Sequence, residues 1–124
     1  MIRIAFSTDA ESGSISMRMK GHAMAGAKGH DLVCAAASML GQTLAQLLLY
    51  QQAQGKLQKA AHIVLRPGRC EITAKPKKEH YDEVLYGFFV TEVGLELLAH
   101  NNADFAQITL FDTAWDAFSK DSPT

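Results

Sequence analysis

The chain has 124 residues, 48% of them apolar and 20% charged, with a formal net charge of −1. That length and balance describe one soluble domain with a single core. The near-neutral charge excludes a nucleic-acid binder working through bulk electrostatics, while local basic clusters stay open. The two cysteines, Cys34 and Cys70, have no CxxC or other metal-ligand spacing, which argues against a disulfide framework or a zinc site and for a reducing compartment.

The opening MIRIAFS has neither a long apolar leader nor a small-residue cleavage site, and no run approaches eighteen uninterrupted apolar residues. The expectation is a cytoplasmic protein without a membrane partner. Ile2, Ile4 and Phe6 alternate with Arg3, Ala5 and Ser7, and Ile15, Met17 and Met19 alternate with Ser16, Arg18 and Lys20, the period-2 mark of strands with one buried face. Turn chemistry in Asp9–Gly13 joins the two runs as a hairpin.

The second strand delivers the chain to Gly21–Ser38, GHAMAGAKGHDLVCAAAS, where the chemistry concentrates. Asp31 is a favoured N-cap, and from Leu32 onward the glycines stop and a helical apolar spacing begins. Cys34 then falls in the first helical turn, where unpaired N–H groups and the positive end of the helix dipole favour a thiolate. His22 lies eleven residues upstream, across a loop containing Gly26 and Gly29 that is long enough to fold back and bring imidazole to sulfur. Nucleophile, base and oxyanion-holding amides thus fit within eighteen residues, an arrangement for acyl transfer. Set against this, a free helical cysteine is commonly a small buried hydrophobe and a loop histidine is commonly just solvated.

The first helix is expected over Leu32–Gln52, stopped by Gly55, with Ala36, Met39, Leu40, Leu44, Leu47 and Leu48 as its apolar face. Beside that face, Cys34, Ser38, Gly41 and Ala45 form a stripe of small side chains. A helical glycine costs about 1 kcal/mol relative to alanine, so Gly41 implies a close approach, with tight core packing preferred over substrate contact. Ser38, one turn beyond Cys34, is a supporting candidate, although a helical serine commonly bonds its own i−4 carbonyl. Asp31 could orient His22 as a third member, yet its capping role accounts for it fully.

Strands at Ala61–Arg66 and Cys70–Lys75 flank Pro67-Gly68, the central pair of a type II turn. Cys70 alternates inward with Ile72 and Ala74 and is read as chemically silent. A second helix is expected from Lys78 to His100, buried through Tyr81, Val84, Leu85, Phe88, Leu95 and Leu98, with Gly87 and Gly94 permitting close backbone approach. Asn101-Asn102 suit its C-terminal end, and Phe105–Phe111 reads as a last strand. The fold class is α+β: a mainly antiparallel sheet of about five strands with two helices, in the order ββαββαβ. Residues 1–112 make one domain, and 113–124 a polar C-terminal tail.

The run Gly21-His22-Ala23, then Gly29, Asp31, Val33, Cys34, Ala35, Ala36 and Ser38, resembles the signature of the ribosomal-processing cysteine protease family, Prp. The likeness extends to the chain length, the opening hairpin, the Pro-Gly turn and Gly94-Leu95 near the end of the second helix. Met24-Ala25-Gly26 departs from relatives that carry an aromatic residue shortly after the Gly-His-Ala, which bears on the substrate-facing loop. The resemblance implies a His22–Cys34 dyad and a cysteine endopeptidase that trims the short N-terminal extension of the twenty-seventh protein of the large ribosomal subunit after an aromatic residue. Gly21, Gly26 and Gly29 would belong to the loop that moves with substrate. No cofactor is expected, and the near-neutral net charge speaks against a direct nucleic-acid partner. The resemblance also implies a homodimer. Two other readings stand beside it: a non-catalytic module that holds a peptide or ribosomal protein in the same cleft, and a metal held by His22, His30 and Cys34, which lacks a clear fourth ligand.

Overall fold

The structure is a computed structural model and describes residues 1–21, 32–104 and 106–110. Its elements run β1 (Ile2–Thr8), β2 (Ile15–Lys20), α1 (Leu32–Ala53), β3 (His62–Arg66), β4 (Arg69–Ala74), a 3-10 turn at Lys78–His80, α2 (Tyr81–Asn101) and β5 (Ala106–Leu110). The expected ββαββαβ order therefore holds, and the fold is α+β. The sheet order is β3-β4-β2-β1-β5. Every pairing is antiparallel except that of β1 with β5, which is parallel.

The alternation in each strand decides which side faces the helices. Ile4 stands opposite Met19 and Phe6 opposite Met17. Met17 in turn pairs with Ile72, and Met19 with Cys70. These residues form one continuous apolar surface, and Ile4, Phe6, Ile15, Met17 and Ile72 are at most 1% exposed. Each such side chain stabilises the fold by about 1.5–3 kcal/mol. The intervening positions make a polar outer face, on which Ser16 and Thr73 share a 2.8 Å hydroxyl–hydroxyl hydrogen bond.

Turn chemistry closes the hairpins as expected. Asp9 accepts the Glu11 amide on Oδ1 at 3.0 Å and the Gly13 amide on its carbonyl at 2.8 Å. Helix α1 ends in a Schellman motif: the Gly55 amide donates to the Gln52 carbonyl, the Lys56 amide donates to the Gln51 carbonyl, and Gly55 has φ +75°. Asn102 finishes α2, its side-chain amide donating to the Leu98 carbonyl at 3.0 Å.

The two helices lie antiparallel on the inner face of the sheet, joined by two knobs. Leu47 packs where Gly87 has no side chain, and Leu40 packs where Gly94 has none. The close approach expected at these glycines is thus leucine from the neighbouring helix. The apolar face of α1 differs from the expected one. Leu44 and Leu48 are buried, but Met39 is 61% exposed and Leu47 37%. The buried flank is Val33, Ala37, Gly41, Leu44, Ala45, Leu48 and Gln51. Small residues bring the helix axis close to the sheet, so the small-residue flank turns inward and the larger leucines serve the helix–helix contact. On α2, Val84, Phe88 and Leu95 are buried as expected, whereas Tyr81, Leu85 and Leu98 are only partly covered. Thr91, Glu92 and Ala99 complete the buried flank. By length and composition α1 could also cross a membrane, but here one flank of it is part of the core.

Candidate active site

Leu32 is the first residue of α1, which makes Cys34 the third. The sequence reading therefore places this thiol correctly in the first turn, where the free amides and the dipole favour an anion. Cys34 is half-buried and packs against the edge of the core. Asp31, His22, Gly26, Gly29 and His30 lie outside the described residues, as does the 113–124 tail. The described residues hold no cluster of three or more metal-ligating side chains.

The thiol opens onto a cavity of about 420 Å³ at the end of the sheet where β2 stops and β3 turns into β4. Ile2, Met19, Ala37, Leu65, Pro67 and Cys70 make its apolar wall, and Ser38, Gln42, Arg66 and Arg69 add polar groups. The two glycines that shape it are fixed by geometry. Gly68 has φ +74°, the conformation that the second residue of a type II turn requires. Gly21 has φ +101°, and a Cβ there would run into the Met1 carbonyl oxygen. The Gly21 amide donates to the Gly68 carbonyl at 2.9 Å, pinning the end of β2 to the neighbouring turn.

Ser38 also faces this cavity, and its Oγ accepts a 2.9 Å hydrogen bond from Gln42 Nε2. The close approach implied by Gly41 is resolved as packing. A Cβ at that position would lie 2.9 Å from Met19 Cε and 3.1 Å from Cys70 Sγ. Cys70 is 8% exposed, and burial, reinforced by the Glu71 charge, pushes its thiol from 9.0 up to about 11. Two thiols therefore share one cavity. The strand thiol is held protonated, and the helix thiol sits at the anion-favouring end of α1.

Sequence reasoning left the cavity wall unnamed. Its members were nonetheless signalled by parity, since Leu65 and Cys70 pair across the Pro-Gly turn and Met19 pairs with Cys70. Only the strand order shows that they meet around Cys34.

With this geometry in view, the family comparison is decisive. The model of the cysteine protease Prp family matches residues 1–107. The chain belongs to that family. It is a cysteine protease, and Cys34 stands within the matched region. Among solved structures, it is similar to the essential ribosomal processing protease Prp from S. aureus in complex with a covalently linked product peptide, at 22% identity and a TM-score of 0.70, covering 90% of this chain and 100% of that one. The same S. aureus protease with a substrate peptide matches at 20% identity and a TM-score of 0.63, with the same coverage. A Streptococcus mutans protein, SMU.848, matches at 23% identity and a TM-score of 0.63, covering 90% of this chain and 95% of that one. At these identities the likeness is one of fold. A comparison with curated proteins returns no match.

Proposed function

We propose that this protein is a cysteine endopeptidase with a Cys34–His22 dyad that removes the short N-terminal extension of the twenty-seventh protein of the large ribosomal subunit, cleaving after an aromatic residue, in the cytoplasm. The observation that carries this reading is that Cys34 and Gly21 line one largely apolar cavity, and His22 is joined to Gly21 by a single peptide bond. A cavity of about 420 Å³ has room for an aromatic side chain beside the sulfur. The solved complexes of the similar S. aureus protease with substrate and product peptides agree with a peptide substrate.

In this mechanism the imidazole of His22 takes the thiol proton and the Cys34 thiolate attacks the scissile carbonyl carbon, forming a C–S bond. The oxyanion so formed is held by amides at the start of α1. The imidazolium then protonates the leaving amine as the C–N bond breaks, and the thioester is hydrolysed by a water that His22 activates. Asp31 caps the helix and holds the nucleophile's turn in place, with Ser38 one turn beyond. Gly21 anchors the start of the intervening loop on the Gly68 carbonyl, and Gly26 and Gly29 are the loop positions whose lack of a side chain would let it follow substrate.

The active form is a homodimer. Its support is a stripe on α2, Tyr86, Val90, Val93 and Leu97, spaced four, three and four apart and each 46–62% exposed, which a second copy would cover. Sedimentation of the wild type as a monomer at micromolar concentration would contradict this.

The functional test is a synthetic peptide spanning the extension and the junction. Wild type should cut it at one bond, after the aromatic residue, and Cys34→Ser and His22→Ala should each lose at least about 10³-fold in kcat/KM. Binding of the peptide by all three without cleavage by any would show a binding module instead.

A further inference from the structure

The outer face of the sheet carries a feature that the peptidase chemistry does not use. Arg3 stands opposite Lys20, Lys20 opposite Arg69, and Arg69 opposite Arg66. Four cations therefore stand side by side, one on each of four adjacent strands, and all four are exposed. By strand alternation with Ile2, Met19, Cys70 and Leu65 the four cations fall on the face away from the helices, Arg66 and Arg69 also bordering the Cys34 cavity where the sheet ends at the Pro-Gly turn. At about 4.8 Å between strands the row is about 14 Å long. Arg18 lies one step along on the same face, opposite Ala5 and Glu71. Five of the chain's twelve Lys and Arg residues thus sit on one patch of a protein whose net charge is −1.

Like charges directly opposite one another on neighbouring strands destabilise a sheet. Among the described residues one acid, Glu71, stands in this patch, hydrogen-bonded by Arg69 through Nε at 3.3 Å and through an Nη nitrogen at 3.2 Å. That bond, then the charges of Arg69, Lys20 and His62, hold its carboxyl below the ordinary range against an opposing desolvation. One carboxylate cannot neutralise five cations, so among the described residues the row carries unbalanced positive charge.

We propose that this cationic row is a docking surface for RNA and that it holds the phosphodiester backbone. Four of the five cations are arginines, whose planar fork suits phosphate oxygens. Beside the row on the same face the apolar side chains among the described residues are Ala5 and Val64, neither of them aromatic, so no base is stacked there and contact is to backbone charge, independent of sequence. The preference for RNA over an acidic peptide rests on the ribosomal reading above, since a ribosomal substrate is made in the company of RNA. The row lies at the same end of the sheet as the Cys34 cavity, and Arg66 and Arg69 belong to both. RNA held there would keep an RNA-bound protein substrate beside the nucleophile.

The test is fluorescence anisotropy with a labelled 20-nucleotide oligouridine, read against salt, using the full-length chain. Contact with four phosphates of a single strand gives a log–log salt slope of about −2.8. Arg3→Gln/Lys20→Gln should reduce that slope by about 1.4 and weaken low-salt binding at least about tenfold. The same double variant should melt no lower than wild type, because it relieves repulsion, and should keep peptide cleavage, because neither side chain lines the cavity. No binding at 50 mM salt, binding that the double variant leaves unchanged, or tighter binding of polyglutamate than of RNA would each overturn the proposal. RNA binding with the stated slope supports it even if the peptide is not cut, so the two readings fail separately.

Discussion

Two thiols line one cavity and meet different surroundings, and each carries its own prediction. Cys70 is enclosed by the sheet and by α1, and burial raises its pKa from 9.0 to about 11. In the unfolded chain this thiol ionises near 9, whereas in the folded chain it stays protonated to about 11, so folding binds the extra proton in that window. Its contribution to stability is complete below pH 9 and is lost as pH rises through 11. Urea midpoints of wild type should therefore fall more steeply between pH 9 and pH 11 than those of Cys70→Ala. Cys34 was legible as a first-turn residue because Asp31 and Leu32 mark a helix boundary in the sequence itself. That Cys70 shares its cavity was not legible, since the shared space depends on β2 pairing with β4 some fifty residues away.

At the scale of elements, glycines divide by what they touch. Gly41 is buried, and a Cβ there would lie 2.9 Å from Met19 Cε and 3.1 Å from Cys70 Sγ, both on side chains held in the core at the cavity wall. Gly41→Val should overpack this contact and cost about 1–3 kcal/mol in a urea melt. A Cβ at Gly87 would lie 2.7 Å from Leu47 Cδ2, but Leu47 is 37% exposed and can swing outward. Gly87→Ala should therefore lie within about 1 kcal/mol of wild type, on the stabilising side, because helix propensity offsets the displacement. The same contrast explains where sequence reasoning about α1 went astray. Apolar periodicity selects the large side chains Met39, Leu40 and Leu47, whereas the sheet accepts the smallest ones, and a moment built on hydrophobicity is blind to that. Element order and the Pro-Gly hairpin were legible because they are local. The buried Thr91 and Glu92 on α2 were not, because burial of a polar residue leaves no mark in a hydrophobic pattern.

Over the whole molecule, a two-layer fold separates two kinds of surface at one end of its sheet. The inner face offers an apolar cavity beside the start of a helix, and the outer face offers a row of positive charge. Strand alternation announces both faces, yet neither the parallel pairing of β1 with β5 nor the cation row can be read without the register. Net charge hides the row entirely, since acids elsewhere in the chain cancel it. The central claim is that the helix start makes Cys34 the reactive thiol while Cys70 stays inert, and it is tested most directly by timed iodoacetamide labelling at pH 6 with peptide mapping. Labelling of Cys34 at least about 10²-fold faster than Cys70, with activity lost in step, is the predicted result; equal rates at the two sites, or full activity after Cys34 is alkylated, would contradict it.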